Sequence, residues 1–222
     1  MGILEDHIKN NCDSRLQGVL SLGVREAYQY LEKLKENDRI FQRPEMKKTY
    51  GHIRNGFIDV ALKQVLASSE IPHEIADKTA SRYRNGYTYL MIETQGAILT
   101  PAKVKKAIAV PPKAIFRSKG SIINKQYSLF GNSDDLNQKY DENNPPFLVL
   151  TYGGQDYKLD FVRLGLPDLD VKGWIDQVDI TRSPVLLKNQ SDVKRELELT
   201  FTSEAKQLIE RGVDDAREEE SI

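Results

Sequence analysis

"YTYLMIETQGAILT", residues 87–100, is dense in Tyr, Thr, Ile and Leu and is broken only by Gln95-Gly96. That composition predicts two strands joined by a tight turn. Upstream of Gly86, apolar residues recur at helical spacing. Downstream they come in strand-length runs punctuated by Gly and Pro. A chain whose period changes once, from helical to extended, predicts an α+β fold in which N-terminal helices pack on a mainly antiparallel sheet.

Working back from Gly86, three helices are predicted, over about 14–36, 45–68 and 72–84. The first has Asp13 as its cap, carries Leu16, Val19, Leu20, Val24, Ala27, Leu31 and Leu34 on one stripe, and stops at "END", 36–38. In the second, Met46, Tyr50, Ile53, Phe57, Val60, Ala61 and Val65 form the predicted buried face. Lys48, His52, Asn55, Asp59 and Lys63 form the solvated one. Pro72 in a first turn and Gly86 as a stop suggest the third.

Working forward, Thr100-Pro101 reads as a cap with a first-turn proline, giving a short helix over 101–109. "AIFRSKGSIINKQYSLF" reads as two strands around Lys119-Gly120, and 131–146 as a polar loop. "FLVLTY", Gly153-Gly154 and "DYKLDFVRLGL" form a hairpin. "RELELTFT" is a further strand, and Ser203 opens a C-terminal helix ending in the acidic run "DDAREEE". One domain over 1–222 is expected, with a helical subregion 1–84 and a β-rich subregion 85–222.

The 222 residues carry a net charge of −1, which gives no global pull towards polyanions. A lone Cys12 forbids an internal disulfide. The N-terminal segment has no basic and apolar leader pattern, and no apolar run reaches membrane-spanning length, so a cytoplasmic protein with no membrane contact is expected. Phosphate-binding, dinucleotide, zinc-protease and serine-hydrolase motifs are absent, which implies no cofactor. His7, His52 and His73 fall in separate segments and do not suggest a metal site.

The main departure from uniformity is charge. Residues 94–133 contain no Asp or Glu, and within them Lys103, Lys105, Lys106, Lys113, Arg117, Lys119 and Lys125 form a basic block. Val104, Ile108, Val110, Ile115, Phe116, Ile122 and Ile123 run through the block, marking it as folded chain and not a tail. Asn124, Gln126 and Tyr127 add the hydrogen-bonding and stacking groups that single-stranded nucleic acid uses. Three readings stay open: a surface for DNA, RNA or another polyanion, a surface for an acidic protein partner, or compensation by acids of 131–142 and of the C-terminal run.

Two enzymatic alternatives accompany these. Asp156-Tyr157-Lys158, with Asp160 nearby and Glu93 or Asp141 as a second acid, has the acid-x-Lys form of metal-dependent nucleases. If Gly153-Gly154 is the turn, Asp156 falls opposite Thr151 and Asp160 opposite Phe147, on a strand whose alternating charges equally suit a solvated face. A metal-independent ribonuclease needs only a few Arg, Lys, Tyr or His groups; Arg54, at the edge of the second helix's apolar face, is its most conspicuous candidate. A protein-interaction subunit of a bacterial or phage regulatory pair, using the N-terminal helices as dimer or partner surface, is the remaining alternative. The economical reading is a cytoplasmic binding protein whose segment 100–125 contacts nucleic acid or another polyanion.

Overall fold

Helix α1 (Ile3–Asn11) leads into α2 (Leu16–Asn37), then a short α3 (Arg39–Gln42), a 3-10 turn (Pro44–Lys48) and α4 (Tyr50–Ser68). The computed structural model describes residues 2–79, 88–125, 143–155 and 158–185, all within the unit Met1–Gln190. The predicted strand "RELELTFT", the C-terminal helix, the acidic run and Asp141 and Asp156 lie outside the described residues.

The predicted stripe of α2 is buried: Leu16, Val19, Leu20, Val24, Ala27 and Leu31 all turn inward, so the face offered as a dimer or partner surface packs within the chain. Asp13 is not the cap of this helix, whose N-cap is Arg15 with no side-chain capping bond; Asp13 instead accepts the Arg15 backbone N–H at 2.9 Å and pairs with its guanidinium at 2.7 Å. On α4 the buried stripe is rotated from the predicted one. Ile58, Ala61, Leu62, Val65 and Leu66 pack inward, and Val60 is 47% exposed. Asn55 and Asp59 thereby leave the solvated face assigned to them and become half-buried.

Among the described residues six strands form one sheet in sequence order: β1 (His73–Thr79), β2 (Thr88–Thr94), β3 (Ala97–Lys103), β4 (Phe147–Gly153), β5 (Phe161–Pro167) and β6 (Trp174–Asp179). All neighbours are antiparallel except β3 and β4, which run parallel and are bridged by α5 (Ile115–Ile123). The α+β prediction of helices followed by a mainly antiparallel sheet stands. Every residue of β4 is buried. Side chains alternate across a strand, and Tyr152 reaches Asn55 of α4 while Phe147 lies under Gly120 of α5. Helices therefore cover both faces at β4.

Four local predictions are corrected. Residues 73–79, assigned to a third helix, are an edge strand. It has no apolar helical face, and its charges are used across the sheet edge, Lys78 pairing with Glu93 at 3.4 Å. Residues 101–103 belong to β3, not to a helix. Two residues beyond the pair Ile92↔Leu99, Leu90 would face Pro101, which has no N–H to give; the buried Thr100 hydroxyl donates to the Leu90 carbonyl instead, at 2.9 Å. The two strands placed around Lys119-Gly120 are the single helix α5, whose Gly120 seats the backbone on the Phe147 ring. Finally, Gly153 pairs with Phe161 and Thr151 with Arg163, so residues 154–160 connect the strands. Helices α1 and α3 and strand β6 have no counterpart among the expected elements, and the second expected helix begins at Tyr50, after the 3-10 turn Pro44–Lys48. Asp176 of β6 accepts the Leu4 N–H at 2.8 Å and so joins β6 to α1.

The β2–β3 hairpin turns at Gln95-Gly96 as predicted, with Gly96 at φ +84°. His7 of α1, fully buried, reads this turn: its Nε2 donates to the Gly96 carbonyl at 2.8 Å, and its Nδ1 accepts from the Asn11 amide at 3.1 Å. Burial holds the imidazole below its ordinary value, against the opposing effect of the Gly96 carbonyl. A depressed histidine binds its proton in the unfolded chain first, so this contribution to stability is complete above about pH 6.5 and declines as pH falls below it. His7→Gln is expected to cost about 2 kcal/mol at pH 7.5. In urea unfolding the gap from the wild type should narrow towards pH 5, by up to about 1.4 kcal/mol per pH unit; a gap that widens would contradict the neutral, donating tautomer.

Candidate functional site

A space lies beside Pro101. The β2–β3 ladder spans only Ile92↔Leu99 to Thr94↔Ala97. Beside the residues where it stops lies a cavity of about 190 Å³. Its walls come from α4 (Asn55, Asp59), β2 (Tyr89, Leu90), β3 (Pro101, Ala102, Lys103), and from Pro112, Arg117 and Tyr152. Lys103 and Tyr152 are register partners at the carboxyl ends of the two parallel strands, the end at which open α/β sheets place their ligands.

The polar side chains of this cavity are held in place. Tyr152 donates to the Asn55 Oδ1 at 3.2 Å and meets Tyr28 edge-on, with ring centroids 6.2 Å apart. Tyr89 stacks on Phe116 at 3.7 Å, the planes 12° apart. Arg117, 9% exposed, lies 4.7 Å from the Phe116 ring centre, and its Nη2 donates to the Pro112 carbonyl at 2.6 Å.

Electrostatically the cavity is divided. Burial, then the neighbouring charges of Arg54 and Lys105, lower the basicity of Lys103. Burial first, then Asp77, raise the Asp59 carboxyl to about 6, with Lys63 acting the other way. Lys63 is itself engaged by Asp77 at 2.6 Å. Arg54, singled out in the sequence, does not line the cavity, but its charge acts on Lys103 and on Tyr28, and its buried Nε has no hydrogen-bond partner among the described residues.

The basic block is distributed over three kinds of structure. Lys103 ends β3; Lys105, Lys106 and Lys113 lie on the irregular link to α5; Arg117 and Lys119 are on α5, and Lys125 follows it. All are exposed except Arg117, which is spent on the cavity wall. Of the apolar residues in the block, Val104 and Phe116 are buried, whereas Ile108, Ile115 and Ile122 are 74%, 71% and 57% exposed. Gln126 and Tyr127 lie outside the described residues.

Lys158 and Asp160 are both exposed and sit in the β4–β5 connection, where Asp160 N–H bonds the Gly153 carbonyl at 2.9 Å. They are not on a strand. Glu93 is on β2 and is paired with Lys78. Among the described residues no group of three or more His, Cys, Asp or Glu is placed to hold a metal ion, and no helix is long and apolar enough to cross a membrane.

Asn55, Asp59, Tyr89 and Tyr152 are the cavity residues that sequence spacing does not single out. Asp59 and Lys63 both fall on the solvated face expected for the second helix; the burial of Asp59 and the contact of Lys63 with Asp77 across to β1 change that. Comparison of the chain with protein-family models, with curated proteins and with solved structures gives no match. The functional reading therefore rests on the geometry of the site.

Proposed function

We propose that this protein binds nucleic acid or another polyanion through segment 100–125, with the cavity beside Lys103 receiving part of the bound chain. One observation carries the reading. Lys103, Lys105, Lys106, Lys113 and Lys119 are exposed and make no ion pair with any acid among the described residues. Elsewhere Arg15, Lys63, Lys78 and Lys172 each have an acidic partner. Lysines with no acidic partner among the described residues, beside an aromatic-lined cavity, suit a phosphate backbone whose sugars and bases need adjacent apolar or π surface.

Binding of a fluorescent single-stranded oligonucleotide, titrated from about 50 to 200 mM salt, tests this. The affinity is expected to fall steeply with salt. The triple change Lys103→Gln, Lys105→Gln, Lys106→Gln should flatten the logarithmic salt slope by about 2, since each phosphate contact on a single strand contributes roughly 0.7. Affinity independent of salt, or no binding to either DNA or RNA, rules the reading out.

The exposed Ile108, Ile115 and Ile122 favour one second reading, a protein partner that is acidic with apolar patches. Its mark would be an affinity that the lysine changes and Ile115→Ser both reduce.

A further inference from the structure

We propose that the cavity beside Lys103 cleaves RNA by transesterification, with Asp59 as the general base on the 2′-hydroxyl and Lys103 as the general acid on the departing 5′-oxygen. This rests on the polyanion reading and deepens it, naming RNA as the substrate at the same site. The single lining of α4 and β3 residues brings a carboxylate and an ammonium into one space of about 190 Å³. That is below the range of drug-sized ligand pockets, so it holds the reacting part of one nucleotide while the rest of the strand follows the lysines outside.

The step balances without a further reagent. Asp59 takes the proton of the 2′-hydroxyl, and its oxygen attacks the adjacent phosphorus. The new P–O2′ bond forms as the P–O5′ bond breaks, and Lys103 gives a proton to O5′. The products are a 2′,3′-cyclic phosphate and a 5′-hydroxyl end; proton exchange with water resets both groups. Charge on the five-coordinate phosphorus is met by Arg117, fixed against Phe116 and the Pro112 carbonyl, and by Arg54. Tyr89, held by its stack on Phe116, offers a surface for a base.

The electrostatics agree with those roles. A general base and a general acid work best near the operating pH, and here the two partners are displaced towards neutrality in opposite directions. The charged groups facing Asp59 are Asp77 from β1 and Lys63 from α4, while Lys103 and Arg117 line the same cavity and the charge of Arg54 acts on Lys103.

The test uses the full chain with a single-stranded RNA and the DNA of the same sequence, in EDTA, from pH 5 to 8. Expected are cuts in RNA that leave 2′,3′-cyclic phosphate ends, with DNA bound but intact because it lacks the attacking hydroxyl. The rate should rise towards tenfold per pH unit below about pH 6 and then level. Asp59→Asn should slow cleavage by about 10²–10⁴-fold with RNA affinity kept. This variant removes a charge that burial disfavours, so its thermal midpoint at pH 7.5 should not fall. Lys103→Gln, at an exposed strand end, is the second variant and should slow cleavage at least about tenfold. RNA that is bound but never cut overturns the inference and leaves the binding function intact. Failure to bind RNA overturns it too, and failure to bind either the RNA or the DNA overturns the reading beneath it as well. Cleavage that survives Asp59→Asn, or that needs added metal, overturns the assigned chemistry.

Discussion

Asn124→Ala is expected to remove about 3–5 kcal/mol of folding stability, among the largest losses any single side chain here should cause. Asn124 is 1% exposed and follows the last turn of α5. Its Nδ2 donates to the Phe147 carbonyl at 2.7 Å and to the Pro167 carbonyl at 3.1 Å, and its Oδ1 accepts the Phe147 N–H at 2.8 Å. The reason lies in the register. Two residues beyond Val149↔Gly165, Phe147 would face Pro167, which has no N–H with which to continue the ladder. The Asn124 amide carries both a donor and an acceptor and takes the place of the missing backbone partner. Without it, buried backbone groups of both strands lose their partners, each at about 1–3 kcal/mol. Urea unfolding of Asn124→Ala and Asn124→Asp should show both variants destabilised, the second keeping an acceptor but no donor. A loss below about 1 kcal/mol for the alanine variant would mean that water or a backbone shift replaces the amide.

Thr100 and Asn124 do the same thing at two prolines, and this explains which parts of the fold were legible in sequence. Elements whose apolar period is undisturbed were readable: the α2 stripe, the hairpin through Gln95-Gly96 and the wholly apolar start of β4. Thr100-Pro101 has the pattern of a helix start, because a hydroxyl before proline is a capping signal. In the fold the same hydroxyl completes a sheet ladder, and nothing local distinguishes the two uses. Likewise β1 carries its charges for partners on other elements, Lys63 of α4 and Glu93 of β2, which a local pattern does not reveal. Of the candidate cavity's charged residues, Lys103 and Arg117 belong to the basic block named from composition. Asp59 could not be named in this way, since its altered acidity depends on burial and on Asp77, which belongs to a different element. The acid-x-Lys triplet at Asp156 looked more specific than the basic block, yet its lysine lies in a turn connection and not on a strand.

Gly120→Val is expected to cost more than about 3 kcal/mol, and even Gly120→Ala about 1–2 kcal/mol, although alanine favours a helix interior by about 1 kcal/mol. A Cβ at this position would lie 2.7 Å from two carbons of the Phe147 ring. That ring cannot retreat: Phe147 is fully buried, in a cluster with Ala102 and Val149, with Ile98 and Trp174 packed against it. The overlap therefore falls on α5, which must lift from the sheet. If so, the loss should be shared with the ring. Phe147→Leu alone destabilises, but combined with Gly120→Ala it should cost at least about 1 kcal/mol less than the sum. Additive losses in that double-mutant cycle would refute the steric account. Lifting α5 has a second consequence, because Arg117 sits one turn before Gly120 and forms part of the cavity wall. Gly120→Ala, measured under conditions where it remains folded, should weaken oligonucleotide binding without any change to an exposed lysine. The glycine that misleads a local reading towards a turn is thus the one that sets how closely the basic helix approaches the sheet.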